Sequence, residues 1–265
     1  MPVVDGILIR AMPEVLLSNS ASEENKFFRS LDAIYGTSNT EGISATIVAY
    51  GLQKRYGFNA TLEIPNIVLH DEFAPTISRL FYNNNEQVSR AIYDEYSSED
   101  TLEQSKNMLD LFTDYVFLAA TVGALNSHSL AGSVPSGNTF QYLFTGEGII
   151  EGPFVLPVYF KGAWHGAELS FLFGLNGPGN VLNKTADGNA LRKKMISYWT
   201  NFAKHGNPNG KGLPRWPTYD PMTAEYLNIN TVSSTGSHVA ADRMRFWNWC
   251  IPSLLKIGSN TIVGK

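Results

Sequence analysis

The sequence predicts a mixed α/β protein, and three observations carry that expectation. Short runs such as NTFQYLFT (138–145) and the end of FRSLDAIYGT (28–37) have strand composition, rich in aromatic and β-branched residues. Longer segments place apolar residues three and four positions apart, the spacing of a helix face. The chain is 43% hydrophobic and 17% charged over 265 residues, which is enough apolar content to bury a core between such layers. No internal repeat, low-complexity tract or linker divides it, so a single domain over 1–265 is expected.

Taken in order, residues 2–9 (PVVDGILI) read as a short β segment with a turn at Asp5-Gly6. From 71 to 128 the pattern is helical, in the segments DEFAPTISRLFYN, EQVSRAIYDEYSS and TLEQSKNMLDLFTDYVFLAATVGALNSH, with Asp71 and Thr101 as caps. Residues 188–205 (GNALRKKMISYWTNFAKH) form an amphipathic helix stopped by GNPNGKG. EYLNIN reads as a strand, and a last helix runs from about 239 to 256. So few strands for so many helices leave the sheet short of the breadth an α/β domain wants.

Composition excludes several classes of function. A net charge of −4 and the lack of any Lys/Arg-rich tract give no footprint for nucleic acid. A single cysteine, Cys250, rules out an internal disulfide and a thiolate metal cluster. The histidines at 70, 128, 165, 205 and 238 form no close pair at metal-ligand spacing, so neither a metal nor a cofactor is expected. GLNGPGN (174–180) lacks the lysine of a phosphate loop and reads as a connector. Trp199, Phe202, Trp216, Phe246 and Trp247 read as core and interface aromatics. The longest apolar run, 115–125, is too short to span a bilayer, so no transmembrane segment is expected. The first residues lack the charged, apolar and small-residue regions of a signal peptide, while sequons at Asn59 and Asn183 tilt toward the secretory pathway.

Two residues invite chemistry. Glu41 stands at a turn directly after a strand, in IYGTSNTEGIS, and His165 stands on a glycine-flanked turn in KGAWHGAELSFLFG. Loops at the carboxyl ends of strands are where α/β proteins place their chemistry. An acid that fixes an imidazole's tautomer, beside an imidazole that takes a proton, is the orienting half of a catalytic triad.

Seven segments, in order, carry a resemblance: PVVDG (2–6), GTSNTEG (36–42), DYVFLAAT (114–121), GAWHGAELSFLFG (162–174), YWTNFAKHGNPN (198–209), WPTYDP (216–221) and FWNWCIPSLL (246–255). With them the chain resembles the second half of the type-B carboxylesterases, the family of cholinesterases, liver-type carboxylesterases and bile-salt lipases. The resemblance implies an α/β-hydrolase fold whose triad runs Ser, then Glu or Asp, then His. It matches Glu41 to the acid, His165 to the histidine, and Glu168 to a supporting glutamate in a polar network near the nucleophile. Trp164, next to His165, is a candidate for lining the substrate pocket.

One part of the family pattern is missing. None of GTSNTEG, GISAT, GSVPSG and GSNT has glycines two places on both sides of a serine. The expectation is therefore a partial esterase chain, inactive alone, completed by an amino-terminal half that carries serine and oxyanion hole. A non-catalytic cholinesterase-like binding or adhesion domain and one chain of a two-chain esterase are the alternatives. The substrate implied is a carboxylic ester, small or lipid. Ile43-Ser44-Ala45-Thr46 after Gly42 offers no aromatic face for a choline group.

Overall fold

The computed structural model describes residues 4–130, 137–146, 155–174 and 185–260. Two short helices, α1 (Pro13–Ser18) and α2 (Glu23–Ser30), lead into strand β1 (Ala33–Ser38). A 3₁₀ turn at Glu41–Ile43 opens α3 (Ser44–Tyr56). A helical layer follows: α4 (66–81), α5 (Glu86–Tyr96) and the long α6 (Thr101–His128). Then come β2 (Thr139–Phe144), α7 (Leu169–Phe173), α8 (Ala186–His205), the hairpin β3 (Glu225–Ile229) and β4 (Ser234–Ser237), and α9 (241–260).

The sheet runs in the order β1-β2-β3-β4, parallel through its first three strands and antiparallel at the last pair. Ala33 lies opposite Thr139 and Ser38 opposite Phe144, so the carboxyl ends of β1 and β2 finish together. The two-residue period of β2 sorts its side chains. Phe140 and Phe144 are buried in a cluster with Phe171, Met195, Tyr198 and Trp216, and Tyr142 packs against it. Thr139 and Gln141 point to the opposite face. A second cluster fills the helical layer, with Ala49, Leu69, Ile92, Leu109 and Trp247 among its buried members. Each large side chain so buried is worth roughly 1.5–3 kcal/mol of transfer free energy.

Most of the expected elements are present, with informative differences. Residues 4–9 are not a strand. The Asp5 carboxylate accepts the N–H groups of Ile7, Leu8 and Ile9 at 2.8, 2.8 and 3.1 Å, which curls the segment into a turn around Gly6. Asp71 is no cap, because α4 begins five residues earlier, after Pro65. Thr101 is not the cap of α6 either; Asp100 is, its carboxylate accepting the Glu103 N–H at 2.7 Å. The helices α1, α2 and α3 and the polar strand β4 went unread. Trp216, Phe246 and Trp247 are buried, and Trp199 and Phe202 pack against the sheet-side core, as expected of core aromatics.

The apolar run 115–125 belongs to a longer continuous helix. At 28 residues, α6 is long and apolar enough, by length and composition, to cross a membrane. Its Met108, Leu109, Leu111, Leu118 and Leu125 are buried in the protein core. The connector beyond Gly174 and the sequon at Asn183 lie outside the described residues.

Candidate active site

The carboxyl end of β1 turns directly into the loop Ser38–Glu41, and hydrogen bonds stitch that loop to the one bearing His165. Thr40 donates its hydroxyl to the Lys161 carbonyl at 2.6 Å and its N–H to the Ala163 carbonyl at 3.0 Å. Ala163 returns an N–H to Asn39 Oδ1 at 2.8 Å. Two glycines make the approach feasible. Gly162 holds a left-handed φ of +98°, and a Cβ there would overlap the Asn39 side chain. Gly42 sits so tightly on α6 that a Cβ would strike the Leu109 carbonyl and the Thr113 N–H, while its own N–H donates to Thr113 Oγ1 at 2.9 Å.

This scaffold fixes Glu41 from several sides. Its side chain is 6% exposed, and Oε1 accepts the Ser38 N–H at 2.6 Å. Oε2 lies 2.6 Å from His165 Nδ1, across 124 residues of sequence. An ionised carboxylate can only accept, so across this contact the imidazole donates from Nδ1, and in the neutral ring the lone pair is then on Nε2, at the opposite ring edge. The His165 side chain is 64% exposed. Phe117 supports the ring from α6, with centroids 4.8 Å apart and planes 35° apart. A buried acid, an oriented imidazole and an open Nε2 edge can together accept a proton from a reactant on the solvent side.

Glu168 joins from the same loop. Its Oε2 accepts the Ser38 hydroxyl at 3.3 Å. Burial pushes its carboxyl up from the ordinary range and the Glu41 charge adds to this, against the Ser38 hydrogen bond and the nearby His165. Burial likewise pushes up the Tyr142 phenol, with the charges of Glu168 and Glu41 adding to it. Trp164 is half-buried and packs against the sheet-side core. Asn59 is exposed on the turn after α3, where its Oδ1 accepts the Thr61 N–H at 3.0 Å and hydroxyl at 2.8 Å. Among the described residues no group of three His, Cys, Asp or Glu side chains converges on a point that could hold a metal.

Glu41, His165 and Glu168 therefore come together at one sheet end, with Trp164 adjacent and Asn59 on another loop. Ser38, Thr113 and Phe117 were missed as participants, although Ser38 and Phe117 lie inside motifs quoted above. Their signal was available only once the acid's neighbours in space were known.

A family model described as carboxylesterase family matches residues 1–247 of this chain. Human cocaine esterase is 31% identical over 221 residues, covering 70% of this chain and 39% of its own length. The bile salt-activated lipase of Bos taurus is 28% identical over 281 residues, covering 99% of this chain and 42% of its own. The acetylcholinesterase of Bungarus fasciatus is 27% identical over 270 residues, covering 98% and 40%. The chain thus spans about two-fifths of the length of these relatives.

Proposed function

This chain belongs to the carboxylesterase family, and on that premise we propose that it supplies the acid and the histidine of a serine-type carboxylic ester hydrolase. Its mixed sheet with covering helices is of the α/β-hydrolase class, as the motifs predicted. The observation that carries the proposal is the 2.6 Å contact between buried Glu41 and exposed His165. In the proposed reaction His165 Nε2 takes the proton of a serine hydroxyl as its oxygen attacks the ester carbonyl. The same nitrogen then returns that proton to the departing alcohol, and water repeats the cycle on the acyl-enzyme. Glu41 stays ionised, holding the tautomer and stabilising the transient imidazolium. Glu168, tied to Ser38, keeps the loop and its charges in place.

No serine in the 265 residues has glycines two places away on both sides. We therefore assign nucleophile and oxyanion hole to polypeptide outside them, as the amino-terminal part of the same domain. The substrate is a neutral carboxylic ester of moderate hydrophobicity, with Trp164 as a wall beside His165. The exposed Asn59 sequon supports passage through the secretory pathway.

The test compares this chain with the longer reading frame that contains it, using 4-nitrophenyl butyrate and a fluorophosphonate label. Turnover and serine labelling are expected from the longer protein, to be lost with His165→Ala, and neither from the chain alone. Serine-esterase turnover by the 265 residues alone would overturn the division of labour. An inactive, unlabelled longer protein would favour the non-catalytic binding domain.

A further inference from the structure

Away from the sheet end that carries Glu41 and His165, a cavity of about 150 Å³ lies between α6, β2 and the segments around Tyr219 and His238. Gln141 of β2 lines it. Only 2% of this residue is exposed, and its carboxamide has no hydrogen-bond partner among the described residues; its backbone carbonyl alone is engaged, by Trp216 Nε1 at 2.8 Å. Neither of its amide atoms is among the fully buried, unpartnered polar atoms, so the small exposure of the residue includes its carboxamide, which can exchange water for a complementary ligand. Beside it, Asn126 accepts the Tyr219 hydroxyl at 2.7 Å through Oδ1, which leaves its amide hydrogens to donate. Val122, Val239 and Met244 supply apolar wall.

The backbone at the rim is unusual. Ala224, His238 and Ala240 hold φ of 42°, 51° and 46°, in the left-handed region that side chains with a Cβ avoid. Ala224 and His238 line the cavity and are joined by a His238 N–H to Ala224 carbonyl bond of 3.0 Å. Such conformations cluster at ligand clamps. No Lys, Arg, Asp or Glu lines the cavity, and beside the His238 ring a neutral ligand enters without a charge of its own to desolvate. A space of this volume takes a body the size of a benzene ring. Side-by-side donor and acceptor on Gln141, with a second donor from Asn126, match another amide better than they match an alcohol.

We propose that this cavity is a binding site for a compact neutral carboxamide, its head paired with Gln141 and Asn126 and its body against Val122, Val239 and Met244. Glu41, His165 and Glu168 do not line it, so the site stands independently of the esterase reading.

Benzamide is the probe, with benzoate and toluene as its charged and apolar counterparts, measured on the full-length protein by calorimetry and saturation-transfer NMR. Benzamide is expected to bind saturably and about tenfold or more tighter than either, about what one or two satisfied hydrogen bonds provide. Gln141→Met, similar in length without the amide, should weaken benzamide about tenfold and leave toluene unchanged. Val122→Phe, which fills the space from α6, should abolish binding of both. Ester turnover, read on the same samples, should not change in either variant. No saturable benzamide binding, toluene binding equally well, or benzamide affinity indifferent to both substitutions would overturn the proposal.

Discussion

Two buried carboxylates meet the long helix α6 one residue apart, and their surroundings differ in a way that separates chemistry from architecture. Glu41 docks on Thr113 through the Gly42 N–H; Asp114 is the next residue of that helix. Each has a hydrogen-bond donor and a basic partner. For Glu41 these are the Ser38 N–H and His165, whose ring is 64% exposed. For Asp114 they are the Tyr96 hydroxyl at 2.7 Å and Arg243 at 2.6 Å, the aspartate itself having no exposure at all. Tyr96 is closed off in turn by Trp247, which donates Nε1–H to its oxygen at 2.7 Å, and Arg243 is shared with Asp110. Burial of the acid is common to both. What differs is the partner: an imidazole that can exchange a proton with something arriving from solvent, against a guanidinium that cannot lose one.

The comparison breaks most sharply at His165. If the chain supplies acid and histidine as proposed, His165→Ala in the longer protein should lower kcat for a chromogenic ester by about 10⁴–10⁶, because the serine would lose its base while binding and the oxyanion hole remained. Thermal unfolding should barely move, since the ring is mostly exposed. A loss below about tenfold would mean that the Glu41–His165 contact is architectural, like the one at Asp114. Glu41→Gln comes next. It preserves shape but lets the side-chain amide donate toward Nδ1, favouring the wrong tautomer, and a drop of about 10⁴ is expected. Unchanged turnover in that variant would remove Glu41 from the proposed triad.

How much of this was legible beforehand depends on the range of the interaction. Helices α5 and α6 were readable because apolar residues at three- and four-residue spacing need only local sequence, and β2 because its aromatic and β-branched run has a single plausible use. Residues 4–9 failed because one short side chain, Asp5, captured three backbone donors that a strand would have offered to a neighbour. Helix α3 failed because SATIVAYGLQKRY mixes β-branched residues and an internal glycine with little amphipathic contrast. Strand β4, STGS, is polar throughout and reads as a turn; only its pairing with β3 makes it a strand. At the site, 124 residues separate Glu41 from His165, and no local pattern encodes that contact. Ordered motifs shared with a family drew attention to both residues. The unpaired Gln141 had no sequence signal at all, since a glutamine in a strand looks like a solvated one until its neighbours are known.

Asp114 tests the other side of the comparison. Asp114→Ala strips Arg243 of one buried anion and leaves the Tyr96 hydroxyl without its acceptor, so a loss of about 3–5 kcal/mol in unfolding free energy is expected. That corresponds to a fall in Tm of about 10 °C or somewhat more for a chain of this size. Turnover per folded molecule should stay within about threefold of the parent, because the partners of Asp114 are Tyr96 and Arg243, not Glu41 or His165. A catalytic collapse with intact stability would show that the closed carboxylate also serves the reaction.

The smallest effect separates the two acids by the pH at which each is felt. Burial raises the Asp114 carboxyl from 3.8 to about 6, against the opposing influence of Arg243 and the Tyr96 hydrogen bond. Between those values the folded chain holds a proton that the unfolded chain has released. Stability from this group is therefore full below about pH 4, declines as pH rises through about 6, and is level above it. The whole span is at most about 3 kcal/mol, at roughly 1.4 kcal/mol per pH unit. Asp110, Arg243 and Tyr96 face the same carboxylate, so a neutral isostere is the clean reference. Asp114→Asn keeps an acceptor for Tyr96 and cannot titrate. Denaturant unfolding of parent and variant at pH 4, 5, 6 and 7 should show the parent's advantage shrinking from pH 4 to 6 and changing little from 6 to 7. A difference that does not change across that range would mean that Arg243 keeps Asp114 ionised throughout, and that the closed carboxylate is held as firmly in its charged form as the open one.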